Sequence, residues 1–423
     1  MIVRDPVHGD IYLTEHETRV LDTPAMQRLR GIKQTGTSYL VYPGCVHTRF
    51  DHALGTLGVV KRMIDTLRKT GFAVSGEDEE LTAIAALLHD ITHVPFGHTL
   101  EDEREIFARH DRAARFAYFL AGELGQALRE LGLYEAVVRL LTRKGEPAGK
   151  RWRSQIIAGA VDADLLDYLR RDSFFAGLTQ NYDDRIFSYF ILAEDGQLAV
   201  NMVKHGLEYP AARSEILHLL RMRYFLTERV YLHHAKVAAG AMLSKAVELA
   251  VGLGLREEDL YPLSDYGFLA LLQGMTYGLR NPGIAALVQA VAERRLFKRA
   301  YVLSGLSLGG QQAAIIERYA GQSAARQALE ERIASAARVP PEQAIVYCPR
   351  ATNFKEVSVP VLGRTGLHPL SHLEPEPSGE VGALARQYAN LWRLYVFVPA
   401  PAVEGARQAS EKIFDLPSEY TAH

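Results

Sequence analysis

Two adjacent residues, His89 and Asp90, are the best candidates in the sequence for metal chemistry. They directly follow the apolar run 83–88, which predicts a buried helix that delivers both side chains to its edge. A charge is costly to bury there unless it is paired or binds a metal. His52, in a histidine-rich stretch upstream, and Asp164, in an acidic stretch downstream, add a second imidazole and a second carboxylate. Together the four residues predict a mixed nitrogen and oxygen site for one divalent metal ion.

The ligand set leaves the identity of the metal open among Mn, Fe, Mg, Co, Ni and Zn. Four protein ligands would leave an octahedral ion two positions, one for water and one for a phosphate oxygen. Each residue taken alone has an ordinary alternative as a helix cap, a core histidine or half of a surface ion pair. We favour the metal site because the four residues occur together, with groups suited to phosphate chemistry nearby.

A proton donor is predicted shortly after the His89-Asp90 pair. His98 and Glu101 are three residues apart and share a face if that stretch is helical. A carboxylate partner fixes the tautomer of an imidazole and raises its pKa, and such an imidazole can protonate a leaving oxygen at neutral pH. His110 would join this group from the next helix. The alternative is that His98 and Glu101 form an ordinary surface pair.

Phosphate recognition requires cations, and Arg49 is the best placed because it precedes His52 by less than one helical turn. The planar guanidinium group of arginine suits bidentate contact with phosphate. Further candidates are Arg170, Arg171, Arg221 and Arg223. The alternative for these four is a solvated surface or an ion pair with a neighbouring carboxylate. The sequence contains no glycine-rich phosphate loop of the known nucleotide-binding types.

Charge and composition exclude several classes of partner. The chain of 423 residues has 48 basic and 50 acidic side chains, for a net charge of −2, so no overall field attracts nucleic acid or an anionic membrane. The two cysteines, Cys45 and Cys348, indicate a reducing compartment rather than a disulfide framework. The first residues predict neither a signal peptide nor a transit peptide, and no apolar run reaches the roughly 20 residues of a membrane span. We therefore expect a cytoplasmic protein without membrane contacts.

Helical patterns dominate up to about residue 339, and short strands follow. Apolar spacing and capping signals predict helices at 25–33, 51–69, 77–90, 111–131, 154–171, 214–252 and 402–414. A hairpin is predicted over 191–200, and strands over 344–347, 357–361 and 394–398. The proline- and glutamate-rich stretch 369–379 is expected to be an exposed loop. This pattern predicts a mainly α protein, with a helical domain over 1–335 and a small α/β C-terminal lobe over 336–423.

Six stretches in fixed order resemble the HD-superfamily phosphohydrolases, specifically the branch that hydrolyses deoxynucleoside triphosphates (dNTPs). They are RDPVHG at 4–9, DTP at 22–24, QRLRGIKQ at 27–34, YPGCVHTRFDHALG at 42–55, the segment 89–101 and DADLLDYLRRD at 162–172. The resemblance is clear over residues 2–180 and weaker from there to the end.

The resemblance implies an HD-domain helical bundle and assigns roles to individual residues. It assigns metal binding to His52, His89, Asp90 and Asp164. It assigns catalysis to His98, Glu101 and His110. It assigns the binding of sugar, phosphate or base to Gln34, Arg49, Tyr168, Asp172, Arg223 and Tyr231. Among these, Asp172 and Tyr168 would favour a 2′-deoxyribose with a free 3′-OH.

The implied reaction is hydrolysis of a dNTP to a deoxynucleoside and inorganic triphosphate. The metal and Arg49 would offset the charge of the α-phosphate, water would attack, and His98 would protonate the departing 5′ oxygen. Leu165 departs from the family, which usually has Lys or Arg there to grip phosphate. This departure leaves open a phosphohydrolase of nucleoside monophosphates or other small phosphoesters. A nucleotide-sensing or nucleic-acid-binding protein is a third hypothesis, which the balanced charge and complete ligand set disfavour.

The resemblance also implies regulation, through Asp22, Gln27 and Arg30. These residues match family positions that bind an activating guanine nucleotide, dGTP or GTP, where subunits meet. Asp22 can accept hydrogen bonds from N1 and the exocyclic amine of guanine, while Gln27 and Arg30 can donate to its acceptors. We therefore expect a homo-oligomer, either a dimer or a tetramer. The alternative is that the three residues are a helix cap and two surface side chains.

Overall fold

The computed structural model describes residues 1–102, 104–109, 113–142, 145–274, 276–351, 354, 358–373 and 379–420. Helices make up most of it, which confirms the predicted mainly α fold. The helices are α1 (Glu15–Leu21), α2 (Pro24–Arg28), α3 (Arg49–Lys69), α4 (Gly76–Leu88), α5 (Ala113–Phe119), α6 (Glu123–Glu130), α7 (Tyr134–Leu141), α8 (Trp152–Ala158), α9 (Ala163–Phe175), α10 (Pro210–Leu226), α11 (His234–Val251), α12 (Asp265–Gln273), α13 (Pro282–Ala292), α14 (Gly305–Leu308), α15 (Gln312–Tyr319), α16 (Ser323–Ala337), α17 (Glu380–Ala389) and α18 (Val403–Phe414).

Short strands form two larger sheets and two small hairpins. The strands are β1 (Ile2–Asp5), β2 (Gly9–Tyr12), β3 (Phe190–Leu192), β4 (Leu198–Asn201), β5 (Val203–Lys204), β6 (Leu207–Glu208), β7 (Lys298–Ser304), β8 (Ile345–Tyr347), β9 (Pro360–Gly363), β10 (Gly366–Pro369) and β11 (Arg393–Val398). The strand orders of the larger sheets are β10-β9-β4-β3 and β7-β11-β8. Antiparallel pairing of β3 with β4 confirms the predicted hairpin over 191–200.

Helix α3 is the central support of the candidate site, because it packs against both α4 and α9. A capping box begins it: the Thr48 hydroxyl accepts a hydrogen bond from the amide of Asp51, and the Asp51 carboxylate accepts one from the amide of Thr48. The face that packs inward includes Phe50, Leu54 and Leu57. The helix confirms the prediction for 51–69 and adds two residues at its start.

Helix α4 delivers the His89-Asp90 pair to the site. Ser75 caps its first turn, and every residue from 83 to 88 is fully buried. The α-helix ends at Leu88 rather than at residue 90 as predicted, so His89 is the C-cap and Asp90 follows in a turn. The buried helix therefore stops where its two polar side chains begin.

The predicted helix over 154–171 is divided into α8 and α9. Gly159 interrupts it with an extended backbone, and the Asp162 carboxylate begins α9 by accepting a hydrogen bond from the amide of Leu165 at 2.7 Å. Apolar residues keep their helical spacing across this break, so the sequence pattern did not predict the interruption. The break places Asp164 in the first turn of α9.

Three other predicted helices are also interrupted. The stretch 111–131 contains α5 and α6, and 214–252 contains α10, a π-helical turn at Thr227–Tyr231 and α11. The stretch 25–33 holds the short α2 followed by a 3₁₀ turn at Leu29–Gly31. The last predicted helix, 402–414, is confirmed as α18.

The C-terminal lobe has a hydrophobic core of its own. Tyr301 on β7, Ile333 on α16 and Val396 on β11 are buried together in it. The core thus includes β7, a strand that the sequence did not predict, and residues on both sides of the predicted boundary at 335 and 336. The boundary stays a prediction, and the packing favours a lobe that begins near residue 298. In the stretch 369–379, expected to be an exposed loop, Leu370 is instead buried.

A cluster of buried charges joins this lobe to the helical part of the chain. Arg104 donates hydrogen bonds to Glu248 and Glu330, and Lys245 donates to Glu330 at 2.6 Å. Arg326 lies 3.3 Å from Glu248. Removing one partner from such a buried network is costly, so the cluster fixes α16 against the segment that follows His98.

No helix in the described part of the chain combines the length and the apolar character that crossing a membrane requires.

Gly55 on α3 lies where the helix meets Asp167 and Arg171. A Cβ at this position would lie 1.9 Å from Asp167 Oδ1 and 2.1 Å from Arg171 Nη2. We predict that Gly55→Ala lowers the free energy of unfolding by about 2–3 kcal/mol, because both neighbours are buried and ion-paired. Urea denaturation measures the change.

Gly58→Ala is the matched control on the same helix. A Cβ there would lie 3.4 Å from Ile11 Cδ1, an ordinary contact. This variant should be as stable as the wild type, or up to about 1 kcal/mol more stable, because alanine favours the helix. Equal stabilities of the two variants would contradict the tight packing of α3 against α9.

Candidate metal centre and nucleotide site

Three side chains from three helices converge on one point. His52 is on α3, His89 caps the end of α4, and Asp164 is in the first turn of α9. His52 Nε2 lies 3.2 Å from His89 Nε2 and 3.0 Å from Asp164 Oδ1. One donor atom from each of the three residues lies within 4.8 Å of the other two. Two imidazole nitrogens and a carboxylate oxygen suit a divalent first-row metal ion.

The other nitrogen of each imidazole ring is already in use. His52 Nδ1 is 2.7 Å from Asp167 Oδ2, and His89 Nδ1 is 2.7 Å from the carbonyl oxygen of Ala86. Because each acceptor binds the Nδ1 proton, Nε2 is the ring nitrogen directed at the shared point. A metal-binding histidine usually has such a partner, which sets its tautomer and the orientation of its ring.

Asp167 is held in a buried network. Arg171 donates two hydrogen bonds of 2.9 Å to its carboxylate, and His8 Nε2 lies 2.7 Å from Oδ1. Arg171 also donates to Asp5 at 2.8 Å. Burial alone would raise the pKa of Asp167, but Arg171, His52 and His8 hold it well below its usual value. The charged carboxylate therefore fixes the orientation of His52.

Asp90, the predicted fourth ligand, lies beside the other three. Its Oδ1 is 3.7 Å from His89 Nε2, and its Oδ2 is 3.8 Å from His52 Nε2. The carboxylate also accepts a hydrogen bond from Arg49 and lies 3.1 Å from His93 Nε2. Burial raises the pKa of Asp90, but Arg49, His89 and His93 outweigh this and keep it well below its usual value. Its role as a ligand stays a prediction.

The electrostatics of the cluster suit a cation. Burial lowers the pKa of His52, yet the hydrogen bonds that it donates to Asp164 and Asp167 outweigh burial and raise the pKa to about 10. The negative charges of the two carboxylates thus favour a positive charge between His52 and Asp164. A divalent ion bound there would supply this positive charge, so the residues present fit a metal.

His98 follows in a tight segment that begins with two left-handed residues, Phe96 (φ 59°) and Gly97 (φ 57°). Its Nδ1 lies 3.7 Å from Glu101 Oε2 and 3.6 Å from Asp102 Oδ2. Burial lowers the pKa of His98, but Asp102 and Glu101 outweigh this and raise it above its usual value. The side chain is 44% exposed, so a substrate could reach it. His110, predicted to join this group, lies outside the described residues.

Two contacts link His98 to its surroundings. Its ring packs edge-on against His93, with centroids 4.8 Å apart, and His93 in turn contacts Asp90. Glu101 Oε1 accepts a hydrogen bond from Arg115 at 2.6 Å. The candidate proton donor is thus joined to the candidate metal centre by a short chain of polar side chains.

The residues predicted to hold the sugar form one cluster. Asp172 accepts hydrogen bonds from His47 at 2.7 Å and from the Tyr231 hydroxyl at 2.5 Å. Arg223 donates to the hydroxyl of Tyr168, whose ring centroid is 6.5 Å from that of Tyr231. Burial and the charge of Asp172 raise the pKa of Tyr231 well above its usual value. The structure therefore brings Tyr168, Asp172, Arg223 and Tyr231 together.

Gln34 approaches this cluster through the backbone, since its amide donates to the carbonyl oxygen of His47 at 3.0 Å. Its side-chain Oε1 is buried and has no hydrogen-bond partner among the described residues. A buried acceptor without a partner is costly and suits contact with a ligand donor.

Three of the arginines considered for phosphate binding have structural partners instead. Arg170 pairs with Asp184, Arg171 with Asp167 and Asp5, and Arg221 with Glu380. Arg49 stays close to the centre: a Cβ on Gly97 would lie 2.8 Å from its Nη2.

The predicted activator residues lie at α1 and α2. Asp22 is the exposed C-cap of α1. Gln27 donates to the carbonyl oxygen of Leu21 at 2.9 Å, and Arg30 donates to Gln27 Oε1 at 2.8 Å. The Arg30 guanidinium also stacks 3.5 Å above the Phe50 ring. The three residues share one surface, and their binding of a nucleotide stays a prediction.

Sequence reasoning did not assign roles to several residues that shape the site, namely His8, Arg28, His47, His93, Arg115 and Asp167. Two of them, His47 and His93, lie in the histidine-rich stretches that contain the candidate ligands. This proximity is the feature of the sequence that could have indicated a role for them. The others act through partners far away in the chain, such as the 2.8 Å hydrogen bonds from Arg28 to the carbonyl oxygens of Ile91 and His93.

Two family profiles match the chain. The profile of the HD domain matches residues 49–172, and that of the HD associated region matches residues 212–423. The first includes His52, His89, Asp90 and Asp164, and the second includes Arg223 and Tyr231.

Several curated relatives are similar to part of the chain. An uncharacterized protein of Methanocaldococcus jannaschii is 34% identical over 280 residues, which cover 64% of this chain and 55% of that protein. The uncharacterized protein YwfO of Bacillus subtilis is 30% identical over 254 residues, which cover 59% of this chain and 55% of that protein. Human deoxynucleoside triphosphate triphosphohydrolase SAMHD1 is 28% identical over 280 residues, covering 58% and 44%. The chain spans about half the length of these relatives.

Two solved structures share the fold over nearly the whole chain. A phosphohydrolase from Bacteroides thetaiotaomicron has a TM-score of 0.71 at 23% identity, covering 94% of this chain and 99% of that one. A hypothetical protein from Aquifex aeolicus has a TM-score of 0.70 at 23% identity, covering 97% and 99%.

The geometry predicts that the three convergent side chains bind one divalent ion. His89→Ala removes one of three close donors and should lower Mn²⁺ affinity by at least about tenfold while the protein stays folded. Calorimetric titration of the metal-free protein with Mn²⁺ measures the affinity, and circular dichroism measures the fold.

His205→Ala is the matched control, because His205 is an exposed residue of the β5–β6 hairpin. It should bind Mn²⁺ as tightly as the wild type. An equal affinity of the His89→Ala variant would place the metal elsewhere.

Proposed function

The chain belongs to the HD-superfamily phosphohydrolases, and on this premise we propose that it hydrolyses dNTPs to deoxynucleosides and inorganic triphosphate. The observation that carries the proposal is the convergence of His52, His89 and Asp164, with His98 and its two carboxylate neighbours joined to them through His93 and Asp90. This arrangement supports a proton donor that acts near a divalent ion. Relatives named as dNTP triphosphohydrolases, at 25–28% identity, support the choice of substrate.

A bound divalent ion would supply Lewis-acid stabilisation of the negative charge on the α-phosphate. Arg49 would add a fixed positive charge beside it, held in place by Asp90. A water oxygen would form a bond to the α-phosphorus as the bond from phosphorus to the 5′ oxygen breaks. The departing 5′ oxygen would take its proton from His98, because Asp102 and Glu101 raise the pKa of this imidazole and so favour its protonated form.

The deoxyribose would lie against Asp172, Tyr168 and Tyr231. Asp172 is held by His47 and Tyr231, so its carboxylate is positioned before substrate binds. A positioned carboxylate can accept a hydrogen bond from the 3′-OH. Gln34, whose buried Oε1 has no hydrogen-bond partner in the described part of the chain, would complete these contacts.

A second candidate function is hydrolysis of nucleoside monophosphates or other small phosphoesters. The observation that favours it is Leu165, which is 3% exposed and packs in the main core, so this position provides no cation for a longer phosphate chain.

Regulation by a guanine nucleotide belongs to the same proposal. Asp22, Gln27 and Arg30 would bind dGTP or GTP between subunits of a homo-oligomer, a dimer or a tetramer. The exposure of Asp22 and the shared surface of the three residues support this assignment.

Product analysis distinguishes the two candidate reactions. With dATP and Mn²⁺, the wild-type protein is expected to release deoxyadenosine and inorganic triphosphate in equal amounts, separated by ion-exchange chromatography. The His89→Ala variant is the inactive control. Orthophosphate released from dAMP, with dATP left intact, would contradict dNTP hydrolysis and support the second candidate.

A variant of His98 separates chemistry from binding. Because a general acid acts in the transition state, His98→Ala should lower kcat by about 10²–10⁴-fold with little change in KM. Steady-state rates on dATP measure both constants, with His205→Ala as the control. A raised KM at normal kcat would make His98 a substrate-positioning residue.

Activation is tested by measuring hydrolysis rates on dATP with and without dGTP. Analytical sedimentation under the same conditions measures assembly. The wild type should assemble and become faster when dGTP is present, and Asp22→Ala combined with Arg30→Ala should abolish both responses. Full activation of this double variant would show that the nucleotide binds elsewhere.

A further inference from the structure

The proposed substrate carries a highly charged triphosphate, and few cations of the chain are available to bind it. Arg170, Arg171 and Arg221 are engaged in ion pairs with carboxylates. Leu165 stands where a phosphate-binding cation was expected and is buried in the apolar core. Arg49 and Arg223 remain as candidates, and a triphosphate would bind more tightly with a further cation from another element.

Lys236 lies in the first turn of α11, on the face that packs against the 3₁₀ helix Gly97–Leu100, which carries His98. Gly240 and Ser244 follow one and two turns later on the same face. A Cβ on Gly240 would lie 3.2 Å from Thr99 Cγ2, and the Ser244 hydroxyl donates to the carbonyl oxygen of Thr99 at 2.9 Å. Helical spacing thus directs Lys236 toward the segment that holds His98 and Asp102.

The backbone of Lys236 is fixed on the other side. Its carbonyl oxygen accepts a hydrogen bond from the Thr37 hydroxyl at 2.9 Å. Thr37 is three residues after Gln34, whose buried Oε1 has no partner among the described residues. Lys236 therefore stands between the segment of Gln34 and the segment of His98.

The ammonium group of Lys236 forms no hydrogen bond or ion pair with the described residues, although its side chain is only partly exposed. Burial lowers its pKa, and the charge of Asp102 offsets this only in part. The Asp102 carboxylate also lies close to two other side chains: Oδ2 is 3.6 Å from His98 Nδ1, and Oδ1 is 3.3 Å from Arg109 Nη1. A partly desolvated cation without a hydrogen-bonded partner is stabilised when an anion binds to it.

We propose that Lys236 binds the phosphate chain of the substrate beside His98 and supplies the cation that Leu165 does not. This inference rests on the proposed function, whose substrate is a triphosphate. Arg49 reaches the same segment at Gly97, so two cations, one on α3 and one on α11, approach the 3₁₀ helix. Lys236 is thus a determinant of specificity for triphosphates over monophosphates.

Inorganic triphosphate is the probe for this role, titrated calorimetrically into the protein with Mn²⁺ present. Lys236→Met should weaken triphosphate binding by about tenfold or more, the loss of one charged hydrogen bond, while Lys236→Arg should retain most of it. Lys69→Met is the matched control, since Lys69 is exposed at the end of α3 and pairs with Asp65 on its own helix. Its affinity should equal that of the wild type.

Steady-state rates separate this inference from the proposed function. Lys236→Met should raise KM for dATP by about tenfold or more and leave kcat within a few-fold of the wild type. If the wild type hydrolyses dATP and Lys236→Met matches Lys69→Met in both KM and triphosphate affinity, the inference is wrong and the function stands. If the wild type does not hydrolyse dNTPs, the proposed function fails first. If Lys236→Met does not fold, Lys236→Gln and Lys236→Arg give the same comparison.

Discussion

The carboxylate of Asp167 is the constraint on which the candidate metal centre depends. It is fully buried and lies between His52, which it orients, and Arg171, which holds it with two hydrogen bonds. Removing a carboxylate and a guanidinium from water is costly, and only a complete set of partners offsets that cost. His8 and Asp5 complete the set from the N-terminal hairpin. The orientation of the imidazole of one candidate metal ligand thus depends on a hairpin more than 40 residues before it. Gly55 is required because any side chain there would displace the network.

A second set of polar contacts positions the segment between the His89-Asp90 pair and His98. Arg28 donates to the carbonyl oxygens of Ile91 and His93, and Asp265 accepts from the amide of Phe96 at 2.8 Å. Burial lowers the pKa of Arg28 to about 10, so this cation is desolvated in order to hold a backbone turn. Phe96 is buried with a left-handed backbone, a conformation that persists where surrounding contacts determine it.

This arrangement relates the segment to the proposed activator site. Arg28 belongs to the five-residue helix α2, which also carries Gln27, and Arg30 follows directly. Gln27, Arg28 and Arg30 thus lie within four consecutive residues, and Asp22 precedes them at the end of α1. The proposed activator residues are therefore close in the chain to Arg28, which holds the carbonyl oxygens of Ile91 and His93.

The sequence predicted the parts of this protein that depend on local pattern. The fold class, the helices α3 and α18 and the hairpin β3–β4 follow from apolar spacing, capping and turn residues. The convergence of His52, His89 and Asp164 could be predicted because these residue types are unusual beside apolar runs. The contacts that fix them could not be predicted, since His8 and Asp167 are 159 residues apart and His47 and Asp172 are 125 apart. Strand β7 was missed because Ala300 to Ser304 are all buried, so no alternation of polar and apolar residues marks it.

The central claim is that His52, His89 and Asp164 hold one divalent ion at the point where α3, α4 and α9 meet. Anomalous diffraction from crystals grown with Mn²⁺ tests it most directly, with data collected where manganese scatters anomalously. The account predicts one strong peak within about 2.0–2.3 Å of His52 Nε2, His89 Nε2 and an Asp164 oxygen. Saturating Mn²⁺ with no peak there, or with the ion held by other residues, would contradict it.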